Sequence, residues 1–266
     1  MSMAFVFPGQ GSQKIGMGST LAAFSKTAKN VFEEVDDSLG YGLSEIMWNG
    51  EASELTLTVN AQPAIMAVSI ALIRVLEDDF GFDLKSKVRF VAGHSLGEYS
   101  ALVTASSVSL ADSAILLRER GLSMQECVAV GKGKMFAILG LEREKVILAI
   151  KDVLHLGTCS IANNNAPGQI VISGDKKATE AAAKNSLSLG ARKTIELPVS
   201  APFHCALMND AGLHVHEKLK DIKVEDPLIT PISNVTARPI KSANEIKKLF
   251  NSKIITFCYN ISSELC

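Results

Sequence analysis

The 266-residue chain has no charge excess of either sign: 27 Lys and Arg stand against 28 Asp and Glu, with an isoelectric point near 6.5. Such a balance supplies no overall positive field for polyphosphate, so nucleic acid is not expected as a partner. The five cysteines (Cys127, Cys159, Cys205, Cys258 and Cys266) are odd in number, have no C-x-x-C spacing and follow no secretory leader, which argues for reduced thiols in a cytoplasmic protein. An apolar uncharged stretch, Thr58 to Ile73, carries Asn60, Gln62, Pro63 and Ser69 and falls short of a bilayer span, so no membrane segment is expected. The phosphate-cradling pattern G-x-x-x-x-G-K-[ST] is also missing. What remains is a chain 47% hydrophobic and 21% charged, enough for the core of one large domain or a domain with an insertion.

The most informative stretch is Arg89 to Ala105, RFVAGHSLGEYSALVTA. Phe90, Val91 and Ala92 predict the end of a buried strand, Gly93-His94-Ser95-Leu96-Gly97 a sharp turn, and Glu98 to Thr104 a helix packed through small residues. Glycines on both sides permit a strained turn and a close strand-helix approach, leaving the Ser95 hydroxyl exposed at a helix N-terminus. Developing negative charge is favoured there. The pentapeptide G-x-S-x-G recurs in unrelated turns, but its strand-to-helix setting makes Ser95 a candidate nucleophile.

Upstream, Met3 to Phe7 predicts a buried first strand leading into the loop Pro8-Gly9-Gln10-Gly11-Ser12-Gln13, either a tight turn or a means of bringing Gln10 close to a ligand. Thr20 to Leu39 predicts one helix with Leu21, Phe24, Ala28, Val31, Phe32 and Val35 on its apolar stripe, closed by Gly40. Ile65 to Leu76 predicts an apolar helix with Gln62-Pro63 at its start. Downstream, Leu110 to Met124 predicts a helix in which Arg120 shares a face with Leu110, Ala114, Leu117 and Met124, and Arg118 one with Ala111, Ile115 and Leu122. An arginine on an apolar face needs an anionic partner unless it snorkels to solvent, and periodicity does not choose between the two.

From Gly133 the pattern becomes strand (Lys134 to Leu139), helix (Glu142 to Val153), two strands (Thr158 to Ile161 and Gln169 to Ser173) around the turn-rich Asn163 to Gly168, helix (Lys176 to Leu189) and strand (Arg192 to Leu197). This β-α-β-β-α-β order predicts a ferredoxin-like α+β subdomain, residues 133–197, inserted in a larger α/β domain made of 1–132 and 198–266. Cleft walls often form at such boundaries. The segment Pro198 to Met208 returns the chain to the large domain and carries His204, a general base only if a nucleophile awaits it. Cys205 reads as a small buried thiol, and His214 and His216 as surface or core histidines without a third metal ligand at convincing spacing.

Taken together, AFVFPGQGSQ (Ala4 to Gln13), AQPAIM (Ala61 to Met66), AGHSLGEYSALV (Ala92 to Val103), RERGLSMQE (Arg118 to Glu126), NNAPGQIVISG (Asn164 to Gly174) and LPVSAPFHCALM (Leu197 to Met208) resemble the malonyl-CoA:acyl-carrier-protein transacylase family in order and spacing. The resemblance implies an α/β-hydrolase-like large domain with a parallel sheet and a nucleophile elbow. It implies Ser95 as nucleophile, His204 as general base, and the backbone N–H groups of Gln10 and Leu96 as the oxyanion hole. It further implies that Arg120 grips the malonyl carboxylate, and that Gln62, Met124 and Asn165 line the acyl and pantetheine cleft. The implied reaction carries malonyl from malonyl-CoA to the phosphopantetheine thiol of acyl carrier protein, in fatty-acid synthesis, with no metal and no redox cofactor. Lys132, Lys134 and Lys184 are candidates for steering the acidic carrier, and a monomer is expected of a stably folded chain.

The resemblance runs out after about Leu249, where the chain reads FNSKIITFCYNISSELC. Family members continue with a glutamine-containing helix and a further strand and helix, so a divergent, truncated C-terminus is expected, with the histidine-orienting glutamine replaced near Lys253. That loss would open a sheet edge unless Ile254 to Tyr259 forms a strand. Two other readings follow: an inactive remnant that only binds partners, and a serine hydrolase using the same elbow, the latter weakened by the lack of an assignable carboxylate between Ser95 and His204.

Overall fold

A computed structural model of the chain describes residues 3–129, 131–199 and 201–253. The expected strand Ile254 to Tyr259, the thiols Cys258 and Cys266, and the side chain of Lys253 lie outside the described residues. In chain order the elements are β1 (Met3–Phe7), α1 (Ser19–Phe24), α2 (Lys26–Leu39), α3 (Leu43–Asn49), α4 (Ala52–Thr56), α5 (Thr58–Arg74), α6 (Leu84–Lys87), β2 (Val88–Gly93), α7 (Gly97–Thr104) and α8 (Leu110–Glu126). There follow β3 (Gly133–Leu139), α9 (Arg143–Lys151), β4 (Cys159–Ala166), β5 (Gln169–Asp175), α10 (Lys176–Ser188), β6 (Lys193–Glu196), α11 (Asn209–Lys220), β7 (Thr230–Pro231) and α12 (Ala243–Lys253). The fold is mixed α/β with a parallel sheet, as the sequence predicts. Two compact units are present, one comprising Met1–Leu122, Glu217–Ser233 and Arg238–Lys248, the other built chiefly on Ser123–His216. Residues 198–216 therefore group with the second unit, together with 133–197.

In the first unit β2 is flanked by β1 and β7, all parallel, with Ala4 opposite Phe90 and Val6 opposite Ala92. Phe7, Val88 and Val91 pack with Ile73 of α5, Ala101 of α7, Leu84 and Ile229 into one apolar cluster, and Phe5 stacks on Phe82. β1 is less buried than its apolar sequence predicts: Val6 is 64% exposed and only Phe7 is fully inside, because β1 is an edge strand among the described strands. The helix expected over Thr20 to Leu39 is broken at Ser25, whose extended backbone separates α1 from α2. Ser25 Oγ accepts from the Ala28 N–H as an N-cap, and Gly40 closes α2 in the left-handed region. Ala28, Val31, Phe32 and Val35 form the buried stripe, while Phe24, expected on it, is 72% exposed.

The central helix α5 begins at Thr58, ahead of the expected start, so Pro63 lies in the second turn and gives no N–H to the Val59 carbonyl. It is buried on nearly every side and continues through a wider turn to Asp79. The whole segment Thr58–Asp79 is long and apolar enough to span a bilayer, yet 72% of its most apolar window is buried within the fold.

In the second unit β3-α9-β4-β5-α10-β6 builds an antiparallel sheet of order β4-β5-β3-β6, the ferredoxin-like arrangement. Ile138, Val146, Ile150, Ile170, Ile172 and Ala182 are among its core. The asparagines expected in a turn belong instead to β4, whose pairing with β5 extends through two register shifts to Ala166 and leaves Pro167-Gly168 as the hairpin turn. Ladder bonding overrides the poor strand propensity of Asn here.

Candidate active site

The elbow is held by contacts that only glycine permits. A Cβ on Gly93 would lie 2.0 Å from the Gly97 carbonyl carbon, and one on Gly97 would lie 2.5 Å from the Phe7 carbonyl oxygen. The turn can therefore close on itself and on the end of β1, where the His94 N–H donates to the Phe7 carbonyl at 3.0 Å. Ser95, at φ +51°, occupies the left-handed region that L-residues avoid, the strained conformation expected of a nucleophile elbow. It is half-buried rather than fully exposed. Leu96, buried, precedes the first residue of α7, and Gln10 sits in the glycine-rich loop that follows β1.

The structure separates the two arginines that periodicity could not. Arg118 stacks on Tyr41, with its guanidinium carbon 4.3 Å from the ring centroid, and is half-buried. Arg120 is 1% exposed and turns inward: Nη1 donates to Gln62 Oε1 at 2.6 Å and Nη2 donates to Ser95 Oγ at 3.0 Å. A buried guanidinium is thus fixed against the hydroxyl of the elbow by an equally buried amide. Charge-assisted bonds of this kind are worth about 1.5–3 kcal/mol each.

Tyr99 escapes the sequence reading. It follows Ser95 by four residues on the elbow helix, is 1% exposed, and places its ring centroid 6.0 Å from the Arg120 guanidinium carbon. Its place in the first turn of α7, directly after the elbow, is the available signal. Burial, aided by the neighbouring Glu98 carboxylate and opposed by Arg120, pushes the Tyr99 phenol up to about 12.

Met124, Asn165 and His204 belong to the second unit. Met124 is buried near the end of α8, Asn165 is half-buried on β4, and His204 is 5% exposed. His204 also adopts a left-handed backbone, φ +57°. Its neighbour Cys205 is 1% exposed with Sγ 3.1 Å from the Pro202 carbonyl, and burial raises its pKa, which fits an inert thiol. Cys127, Cys159 and Cys205 are all free. His214 is exposed on α11 and His216 half-buried. Of the three lysines considered for partner steering, Lys132 and Lys184 are exposed, whereas the Lys134 ammonium lies between Glu180 at 2.8 Å and Glu196 at 2.9 Å.

Residues 4–259 match the acyl transferase domain family. The chain belongs to that family. The match continues past Leu249, where the sequence reading ends the resemblance. This acyltransferase is 42% identical over 247 residues to the malonyl CoA-acyl carrier protein transacylase of Bacillus subtilis (strain 168), covering 92% of this chain and 76% of the relative. The crystal structure of an acyl-carrier-protein S-malonyltransferase from Bartonella henselae is 48% identical with a TM-score of 0.94, covering 97% of this chain and 82% of that one. A malonyl-transacylase solved in complex with its type II PKS acyl-carrier protein is 36% identical, with a TM-score of 0.93 and coverage of 99% and 84%.

Proposed function

We propose that this acyltransferase moves a malonyl group from malonyl-CoA to the phosphopantetheine thiol of acyl carrier protein through a malonyl-serine intermediate. The observation that carries the reading is the buried Arg120 guanidinium, held by Gln62 and set 3.0 Å from Ser95 Oγ. A cation beside a nucleophile suits an acyl group that carries its own carboxylate. A neutral acyl group would leave the desolvated guanidinium without that partner, which disfavours acetyl transfer.

The chemistry follows. His204 takes the Ser95 proton as Oγ attacks the thioester carbonyl; the C–S bond then breaks and His204 returns the proton to the departing thiolate. Backbone N–H groups of Leu96 and Gln10 hold the tetrahedral oxyanion. The same steps run in reverse with the carrier thiol as acceptor. Gln62, Met124 and Asn165 line the path of acyl group and pantetheine. The cycle balances without a metal or redox cofactor. The names of the relatives, and the carrier complex among them, support acyl carrier protein as the partner, with Lys132 and Lys184 free to attract an acidic surface. The proposed compartment is the cytoplasm, and the proposed state of the stably folded chain a monomer.

The test is rapid-quench labelling with radioactive malonyl-CoA, followed by addition of the carrier. A burst of labelled enzyme that maps to the Ser95 peptide, disappears in Ser95→Ala and discharges to the carrier thiol is expected. No label in the wild type, or label that persists in Ser95→Ala, overturns the reading. Discharge to water alone would identify a hydrolase.

A further inference from the structure

We infer that the first turn of α5 positions both halves of this site, through contacts at Gly121 and Thr58 to which the reaction scheme assigns no role. The inference rests on the malonyl-transfer reading.

Gly121 follows Arg120 in the interior of α8, where glycine costs about 1 kcal/mol relative to alanine. Its backbone is helical, so no left-handed conformation accounts for it. Packing does. A Cβ at Gly121 would lie 2.7 Å from the Thr58 carbonyl oxygen, 2.7 Å from Val59 Cα and 2.8 Å from the Thr58 carbonyl carbon. These are backbone atoms of a buried helical turn and cannot rotate away. A side chain of any size would push α8 off α5 at the residue next to Arg120, and so move the guanidinium relative to Gln62 and Ser95.

Thr58 opens the same turn and is 0% exposed. Its Oγ1 accepts from Gln10 Nε2 at 3.3 Å, tying the loop that bears Gln10 to α5. Gln62 stands four residues further on, on the same face of the helix, where it accepts from Arg120. One turn, Thr58 to Gln62, thus sets the carboxylate-binding cation through Gly121 and Gln62, and the oxyanion loop through Thr58. Gly121 and Thr58 are positioning residues, each acting through a neighbour: Thr58 through Gln10, Gly121 through Arg120.

The two contacts predict different kinetic signatures. Gly121→Ala displaces the group that recognises the carboxylate, so kcat/KM for malonyl falls about 10²-fold. Acetyl, which has no carboxylate for that group to hold, is transferred with a far smaller loss, and the malonyl-to-acetyl ratio drops by at least about tenfold. Thr58→Val keeps shape but removes the acceptor for Gln10, so kcat falls alike for both acyl groups with KM nearly unchanged, and Thr58→Ser restores it. Both variants and the wild type are assayed with malonyl-CoA and acetyl-CoA on the full chain, beside a melting curve and the wild-type malonyl-enzyme burst. Equal losses on the two substrates in a folded Gly121→Ala, or a Thr58→Val with wild-type kcat, overturn the inference. Should Gly121→Ala fail to melt cooperatively, the Thr58 pair decides it alone. A wild type without a burst instead removes the malonyl reading, and with it the selectivity assigned to Gly121.

Discussion

Arg120 and Gln62, 58 residues apart in the chain, meet at 2.6 Å with both residues 1% exposed. Replacing Gln62 by Leu keeps bulk but removes an acceptor from a buried cation. A stability loss of about 1.5–3 kcal/mol is expected, read from urea denaturation. The malonyl KM should rise as well, since the guanidinium loses a support that fixes its direction.

The two arginines of α8 should separate cleanly in activity. Arg120→Ala is expected to lower kcat/KM for malonyl by about 10²-fold or more, and for acetyl by far less. Arg118, stacked on Tyr41, lies outside this arrangement, so Arg118→Ala should leave the malonyl-to-acetyl ratio within about twofold of wild type. Steady-state kinetics with both thioesters measure the difference.

Gly97→Ala places a Cβ 2.5 Å from the Phe7 carbonyl oxygen, a backbone atom. Overpacking of this kind costs about 1–3 kcal/mol and should shift the elbow away from β1. Loss of the malonyl-enzyme burst in a protein that still melts cooperatively is the expected outcome, with a lowered denaturation midpoint.

Tyr99 predicts an alkaline signature. Its phenol is held protonated up to about 12, above the ordinary 10.0, chiefly by burial. The unfolded chain therefore releases this proton first, and the stability contributed by the neutral phenol, complete below pH 10, declines as pH rises through about 12. Tyr99→Phe has no such proton. Melting curves between pH 9 and 12 should fall less steeply for the variant, and parallel curves would contradict the assignment.

Asp79 predicts the opposite limb. Hydrogen bonds from Ser25 and then Thr27 hold its carboxyl below the ordinary 3.8. A depressed acid contributes stability above its unfolded pKa and loses it as pH falls through the folded value. Asp79→Asn should thus be less stable than wild type at pH 7, with the difference shrinking below about pH 4, where the two denaturation midpoints converge.

What the sequence disclosed about this fold follows from the range of the interactions involved. The elbow was legible because Gly93, Ser95 and Gly97 act within five residues, and the ferredoxin-like order was legible because its strands and helices alternate in apolar period. The break at Ser25 was hidden, since the stripe of α2 has a phase that also accommodates Phe24, and only the N-cap bond to Ala28 shows where the helix restarts. Pro63 suggested a helix start by local rule, but burial of Thr58, Asn60 and Ala61 extends α5 backwards past it. The asparagines of β4 read as a turn because their partners lie on β5. Arg118 and Arg120 were inseparable for the same reason: the acceptor that distinguishes them, Gln62, is remote in the chain.

The left-handed backbone of Ser95 also limits which nucleophiles this fold can carry. At φ +51° a β-branched side chain is a severe outlier, so threonine, the closest chemical relative of serine, is the substitution the elbow resists most. Cysteine, unbranched at Cβ, meets no added penalty. In evolutionary terms the turn leaves the exchange of alcohol for thiol open and closes the exchange of a primary alcohol for a secondary one.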